Sequence, residues 1–268
     1  MTLPAEKLGG AILTTTSKLD LQEIIGDWKA QNLKIGLVPT MGALHEGHLS
    51  LIKIALENSD RVVVTIFVNP TQFAPHEDFD IYPRKEAQDI AKLEESGAHL
   101  VYIPAASEIY PDGPASTLKA GPAAQGLESD FRPHFFDGVA TVVHRLFEHA
   151  QPDIAVFGEK DFQQLQVIKE MVKTQDMPVK IISAPIMRDE HGLALASRNV
   201  YLSEEGLQIA RQLNKVLSEA TETGNIEAAK TKVLETGFDK IDYIEKRWNR
   251  ILAAAWIGKT RLIDNMEI

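Results

Sequence analysis

The chain has 268 residues, enough for one large domain or two modest ones. A formal net charge of −10, with the 38 acids spread along the sequence, argues against the basic face that nucleic-acid binding needs and leaves an anionic ligand only a local cluster of donors. Cysteine is absent, which also excludes disulfides, thiolate metal sites and thiol nucleophiles.

The first residues, MTLPAEKLGG, carry an acid and a proline before any apolar stretch and do not read as a signal peptide. Apolar runs such as VVVTIFV (62–68) are too short to cross a bilayer, so a cytoplasmic protein without membrane contact is expected. KIGLVP (34–39) reads as a buried strand, followed by a helix, HLSLIKIALENS (48–59), with Leu49, Ile52 and Leu56 on one face. RVVVTIFV (61–68) is the next strand. RKEAQDIAKLEESG (84–97) is an amphipathic helix ended by Gly97, and HLVYIP (99–104) is a third strand. After a Pro/Gly-rich connection over 111–126 come a helix (138–150), a strand (153–158), a helix (161–174) and a strand (179–185).

Five continuous apolar strands separated by helices predict an α/β fold, a doubly wound Rossmann-like parallel sheet covered on both faces. Right-handed crossovers in the order 3-2-1-4-5 set strand 34–39 beside strand 153–158. Ligands bind at such a switch point, outside the carboxyl ends of the strands. From about residue 187 the pattern changes to a polar loop, helices over 203–221 and 226–236, and a mixed tail. The domains expected are 1–186, Rossmann-like, and 187–268, a smaller C-terminal α+β domain acting as a lid.

Neither the P-loop pattern nor a strand-linked G-x-G-x-x-G is present. HEGH (45–48) lacks the i, i+4 histidine spacing of a zinc protease helix. PTMGALHEGHLSL (39–51) instead leaves a strand and opens a helix. Unpaired N–H groups and the positive dipole end there attract anions, His45 and His48 add donors, and Gly47 admits a flat ring close to the backbone. A lone pair of histidines would more often be a helix cap and a surface residue; the T-x-G-x-x-H-x-G-H spacing after a strand favours a phosphate cradle.

Three more clusters follow strands or loops. In FVNPTQF (67–73), Asn69 and Gln72 offer amides, although N-P alone reads as a turn. In FGEKDFQQL (157–165), Lys160 offers a point charge for phosphate, with Gln164 one turn into the next helix. In ALASRN (194–199), Ser197 and Arg198 are suited to closing over a triphosphate. Phe67, Val139, Val142 and Val143 fit either an apolar substrate pocket or ordinary core.

The T-x-G-x-x-H-x-G-H spacing resembles the HIGH-type signature of the nucleotidyltransferase superfamily. With PTMGALHEGHLSL, IFVNPTQF, EDFDIYPR (77–84), GVATVVHRLF, FGEKDFQQLQVI, SRNVYLS and GKTRLIDN in order, the chain resembles the pantothenate synthetase (pantoate–β-alanine ligase) family along nearly its whole length. The resemblance implies an ATP-dependent ligase of pantothenate and coenzyme A biosynthesis. Pantoate and ATP give pantoyl adenylate and pyrophosphate, and β-alanine then displaces AMP, with Mg²⁺ assisting.

It further implies His48, His45 and Lys160 as catalytic. ATP would be bound by Met41, Gly42, His45, Gly47, His48, Gly158, Glu159, Lys160, Asp161, Met187, Leu195, Ala196, Ser197 and Arg198. Gln72, Gln164 and Asn69 would hold pantoate, Gln72 would also serve β-alanine, and Asp89 would contact magnesium. A homodimer is also implied.

The chain departs from the family in three places. The usual R-P-x-H-F is Arg132-Pro133-His134-Phe135-Phe136, so the histidine is displaced by one. Met-Ser-Ser-Arg becomes Leu195-Ala196-Ser197-Arg198, which removes a hydroxyl. The stretch from Asp242 to Leu252 is compressed. The alternatives are another nucleotidyltransferase-like enzyme that stops at a nucleotide-linked product, or a non-catalytic nucleotide sensor on the same fold.

Overall fold

The structure is a computed structural model that describes residues 12–74, 77 and 79–268. The MTLPAEKLGG stretch and Asp78 of the EDFDIYPR motif lie outside the described residues. A first unit takes in the described residues up to Leu44 together with those of 48–157 and 163–184. Its elements in chain order are β1 (Leu13–Thr15), α1 (Lys18–Ala30), β2 (Ile35–Thr40), α2 (Glu46–Asn58), β3 (Arg61–Ile66), α3 (Glu86–Glu95), β4 (Leu100–Tyr102), α4 (Ala106–Ile109), α5 (Glu128–Phe131), α6 (Phe135–Ala150), β5 (Ile154–Gly158), α7 (Phe162–Thr174) and β6 (Lys180–Ala184).

The sheet order is β1-β4-β3-β2-β5-β6, and the pairs β1–β4, β4–β3, β3–β2 and β2–β5 run parallel. The five expected strands therefore take the expected order, with β2 beside β5. β1, a three-residue strand that the apolar pattern did not reveal, is added at the outer edge against β4.

The period of two along the strands divides the core. Val38, Val62, Val64, Val101 and Val156 share one cluster with Leu44, Ile52, Ala55 and Leu93, under α2 and α3. Ile35, Leu37, Val63 and Leu100, also fully buried, point to the other face, where α1 and α6 pack. Each such side chain contributes about 1.5–3 kcal/mol by leaving water. Gly97 closes α3 as expected, at φ +81°.

The second unit comprises His45–Gly47, Gly158–Phe162 and Pro185–Ile268. α8 (Glu204–Thr223) and α9 (Ile226–Glu235) precede an antiparallel sheet, β7 (Lys240–Arg247), β8 (Arg250–Ile257) and β9 (Thr260–Glu267). Leu213, Val216, Leu217 and Val233 of the helices pack on Ile244, Ile251, Ala253 and Ala255 of the strands. The compressed 242–252 stretch is the β7–β8 hairpin. Its two-residue turn, Trp248–Asn249, has φ of +51° and +56°, the left-handed pair that tight hairpins require.

Candidate functional site

At the carboxyl end of β2, the Thr40 hydroxyl donates to the Thr65 carbonyl (2.7 Å) and accepts from the Gly42 N–H (3.2 Å). The chain then turns sharply, with Gly42 at φ +80° and Ala43 at φ +51°. A left-handed alanine costs about 1–2 kcal/mol. Asp89 on α3 offsets it, because its two oxygens accept the Ala43 and Leu44 N–H groups, both at 2.8 Å. Lys92, one helical turn further, donates to the Leu44 carbonyl. α3 thereby fixes the loop that leads to His45. A cleft of about 220 Å³ beside the loop is lined by Met41, Gly42, Phe67, Arg84, Lys85 and Asp89.

His45 sits just before α2 and accepts the Gly47 N–H at Nδ1 (3.1 Å). An imidazole that accepts at Nδ1 carries its proton on Nε2, so that edge of the ring is a donor. The ring lies so close over Gly47 that an added Cβ would be 2.8 Å from His45 Cε1. The flat ring for which Gly47 leaves room is thus that of His45 itself, which serves as a helix cap. His48 occupies the first turn of α2, a 13-residue helix whose opening N–H groups and dipole favour an anion.

After β3 the N-P dipeptide does form a turn, a single 3-10 turn over Pro70–Gln72 capped by Asn69. Asn69 is fully buried. Its Oδ1 accepts from the Thr71 N–H (3.3 Å), the Thr71 hydroxyl (3.1 Å) and the Tyr110 hydroxyl (2.6 Å). Its Nδ2 donates to the Gly138 carbonyl (3.2 Å) and to Gln72 Oε1 (2.9 Å). Gly138 has no room for a side chain, since a Cβ there would meet the Thr71 carbonyl oxygen at 2.5 Å.

Arg132 donates to the Gln72 carbonyl (2.9 Å), pairs with Glu77 and Glu128, and lies 3.9 Å from the centre of the Phe135 ring. Phe135, which stands where the family has histidine, therefore serves as an apolar floor for a guanidinium. The displaced His134 is exposed at the start of α6 and makes no side-chain cap bond. Val139, Val142, Val143 and Phe67 are all buried.

The two neighbouring glutamines of α7 differ. Gln163 is 3% exposed and fully used, accepting from Glu128 N–H and donating to the Ala123 and Gly126 carbonyls. Gln164 is half-buried, and its amide has no hydrogen-bond partner among the described residues.

In the second unit, Gly158 leads into a 3-10 turn over Glu159–Asp161. Asn265 on β9 donates to both the Glu159 and Lys160 carbonyls (2.9 and 3.1 Å). Arg250 on β8 bonds Glu159 Oε2 (2.8 Å) and Asn265 Oδ1 (2.8 Å), and stacks on Phe162. The backbone beneath Lys160 is thus held at two carbonyls and the neighbouring Glu159 side chain by Arg250, while Lys160 Nζ lies 3.7 Å from Asp161 Oδ2.

Met187 and Leu195 are bonded across a small hairpin, Leu195 N–H to Met187 carbonyl at 2.9 Å. Asp189 ties that hairpin. Burial would raise its carboxyl, but N–H bonds from Leu193 and His191 and the Arg211 guanidinium outweigh this and hold it below its usual value. Ala196 opens the 3-10 turn Ser197–Tyr201 that carries Ser197 and Arg198, with no side-chain cap. Leu195 also comes within 3.7 Å of the position a Cβ would take on Gly47, which brings these two segments together.

Among the described residues no group of three His, Asp or Glu side chains is arranged to hold a metal. No described helix is long and apolar enough to cross a membrane. Tyr110, Arg132, Arg250 and Asn265 are the supporting residues that no local spacing singled out, because their partners lie 41 to 106 positions away.

Residues 12–267 match the family model described as pantoate-beta-alanine ligase. A pantothenate synthetase of Mesorhizobium japonicum is 51% identical over 271 residues, spanning 92% of this chain and 95% of that protein. The crystal structure of a pantoate-beta-alanine ligase from Francisella tularensis, complexed with beta-gamma ATP and beta-alanine, superposes with a TM-score of 0.89 at 40% identity, over 96% of this chain and 98% of that one. A pantothenate synthetase from Thermus thermophilus gives 0.87 at 37% identity, over 95% and 98%.

Proposed function

The chain belongs to the pantoate–β-alanine ligase family, and from that membership we propose that it condenses pantoate with β-alanine at the expense of ATP. In the first half-reaction a pantoate carboxylate oxygen attacks the α-phosphorus of ATP. The bond to the β-phosphate bridge breaks, giving pantoyl adenylate and pyrophosphate. In the second, the β-alanine amine attacks the acyl carbon and AMP leaves with the electron pair, giving the amide pantothenate. The substrate supplies the first nucleophile, so the protein's task is positioning and stabilisation of phosphate charge.

His45, through Nε2–H, and His48, at the helix dipole, are assigned to the phosphates, with Lys160 as the ammonium partner. Met41, Gly42, Gly47, Gly158, Glu159, Asp161, Met187, Leu195, Ala196, Ser197 and Arg198 are assigned to the nucleotide and Gln72 and Gln164 to pantoate, whereas Asn69, expected there from the sequence, is fully buried with its amide used within the fold and is assigned to the support of Gln72. Gln72 also serves β-alanine. Support comes from the rigid fastening of the Lys160 turn and from the contrast between Gln163, fully used, and Gln164, available.

Mg²⁺ is assigned to the ATP substrate, held mainly by phosphate oxygens, as is usual for this ion. Each oxygen of Asp89 is already bonded to a backbone N–H, those of Ala43 and Leu44. Residues 187–268 are assigned as a C-terminal lid domain. A homodimer in the cytoplasm completes the reading, and sedimentation velocity tests the oligomer.

The observation that carries the proposal is the family match, which runs from residue 12 to residue 267. The test is isotope exchange between pyrophosphate and ATP. Exchange that requires pantoate and needs no amine supports the adenylate route, whereas exchange indifferent to pantoate overturns it.

A further inference from the structure

The geometry points to Tyr110 as a positioning residue that holds in place the Asn69 amide, which in turn fixes the end of the Gln72 amide that meets the substrate. This rests on the reading of Gln72 as a pantoate ligand.

The orientation of Asn69 is set by two groups whose roles cannot change. The Thr71 backbone N–H can only donate, and it faces Oδ1 (3.3 Å); the Gly138 carbonyl can only accept, and it faces Nδ2 (3.2 Å). With Nδ2 fixed as the donor end, its second hydrogen requires an acceptor, and Gln72 supplies Oε1 at 2.9 Å. Gln72 must then present its NH₂ group to whatever binds beside it. That group has two N–H donors and no partner among the described residues. It suits a carboxylate or hydroxyl oxygen and repels an ammonium or amide N–H.

Tyr110 is the anchor of this relay. Its hydroxyl makes the shortest bond in the network, 2.6 Å to Asn69 Oδ1, and also touches the Thr71 hydroxyl (3.0 Å). It is 5% exposed, its ring leans on Phe67, and burial, only partly offset by the Thr71 and Asn69 hydrogen bonds, pushes its phenol pKa up, so it stays a neutral donor. The backbone beneath is held separately, by Arg132 on the Gln72 carbonyl. Loss of the Tyr110 hydroxyl should therefore loosen the amide without displacing the turn.

The test compares Tyr110→Phe, Gln72→Ala and the double variant by steady-state kinetics with pantoate and ATP varied separately. Removing one buried hydrogen bond corresponds to about three- to tenfold in affinity. Tyr110→Phe is expected to raise the KM for pantoate by that factor, leave the KM for ATP unchanged, and add nothing once Gln72 is alanine. Asn69→Asp, which places an acceptor against Gln72 Oε1, is expected to give the same pantoate-selective defect and serves if Tyr110→Phe does not fold. A pantoate KM unaffected by Tyr110→Phe, or raised equally in the Gln72→Ala background, overturns the relay while leaving Gln72 in place. A pantoate KM unaffected by Gln72→Ala instead overturns the assignment of Gln72 and with it the relay's purpose.

Discussion

Asp89 has two competing readings, and one substitution separates them. The carboxylate is 1% exposed and accepts two backbone N–H groups, those of Ala43 and Leu44, at 2.8 Å each. Hydrogen bonds to a charged acceptor contribute about 1.5–3 kcal/mol each, and a buried donor left unpaired costs a similar amount. Asp89→Asn keeps one oxygen for one of these donors and turns an NH₂ group toward the other. One charged bond is lost and two donors are opposed, a cost of about 2–4 kcal/mol. For a protein of this size that lowers the melting temperature by roughly 5–15 °C. The assay pairs urea unfolding with a magnesium titration of pyrophosphate–ATP exchange. A loop clamp predicts the stability loss, a reduced rate, and an unchanged magnesium concentration for half-maximal exchange. Unchanged stability with a magnesium requirement raised about tenfold would refute the clamp and make Asp89 a metal ligand.

His48→Ala and Lys160→Ala are each expected to lose about a hundredfold or more in exchange rate, the usual cost of one preorganised donor, with unfolding midpoints at the wild-type value; near-normal exchange in either removes its assigned role. Ala196→Ser restores the hydroxyl that the family carries and is expected to lower the KM for ATP about three- to tenfold, so an unchanged KM shows that the hydroxyl makes no contact here. Acid should weaken the fold through His149, which is 3% exposed and bonded to the Tyr102 hydroxyl at 3.0 Å. Burial, aided by Lys18, pushes its pKa down to about 4 from 6.5. The folded state then stays neutral while the unfolded chain takes up a proton below pH 6.5, so stability is full above that pH and lost between 6.5 and 4. Allowing for solvent screening, the loss from pH 7 to pH 5 is about 1–2 kcal/mol. His149→Gln should flatten urea midpoints measured over that range.

The strand order was legible because five segments are apolar without interruption and β-branched, which only a sheet covered on both faces can use. The pieces that escaped are those whose signal is weak by nature. β1 has three residues, LTT, and is identified only by its register against Leu100–Tyr102. β8, RILAAAWI, contains three alanines in a row, and its hairpin turn is Trp-Asn instead of the usual glycine-bearing pair, so neither propensity nor turn chemistry announced it.

Around the site, the room left at Gly47 was legible from the sequence, but its occupant, the His45 ring two residues away, was not. The Tyr110–Asn69 bond joins two loops 41 residues apart and has no periodicity to betray it. The N-P segment was legible as a turn, whereas the bonds of Asn69 to Gly138 and Tyr110 were hidden because the turn alone accounts for the dipeptide.

The fastening of the Glu159–Lys160 turn bears on when the protein becomes competent during its synthesis. The two carbonyls are bound by a residue 105 and 106 positions downstream, and Glu159 itself by one 91 positions on. A nascent chain emerges amino end first, so the strands that precede the turn leave the ribosome long before its supports exist. The parallel sheet can gather early, but the ammonium acquires its final seat only after β8 and β9 have been made and paired. A chain halted between these stages would carry the Glu159–Lys160 turn without its supports.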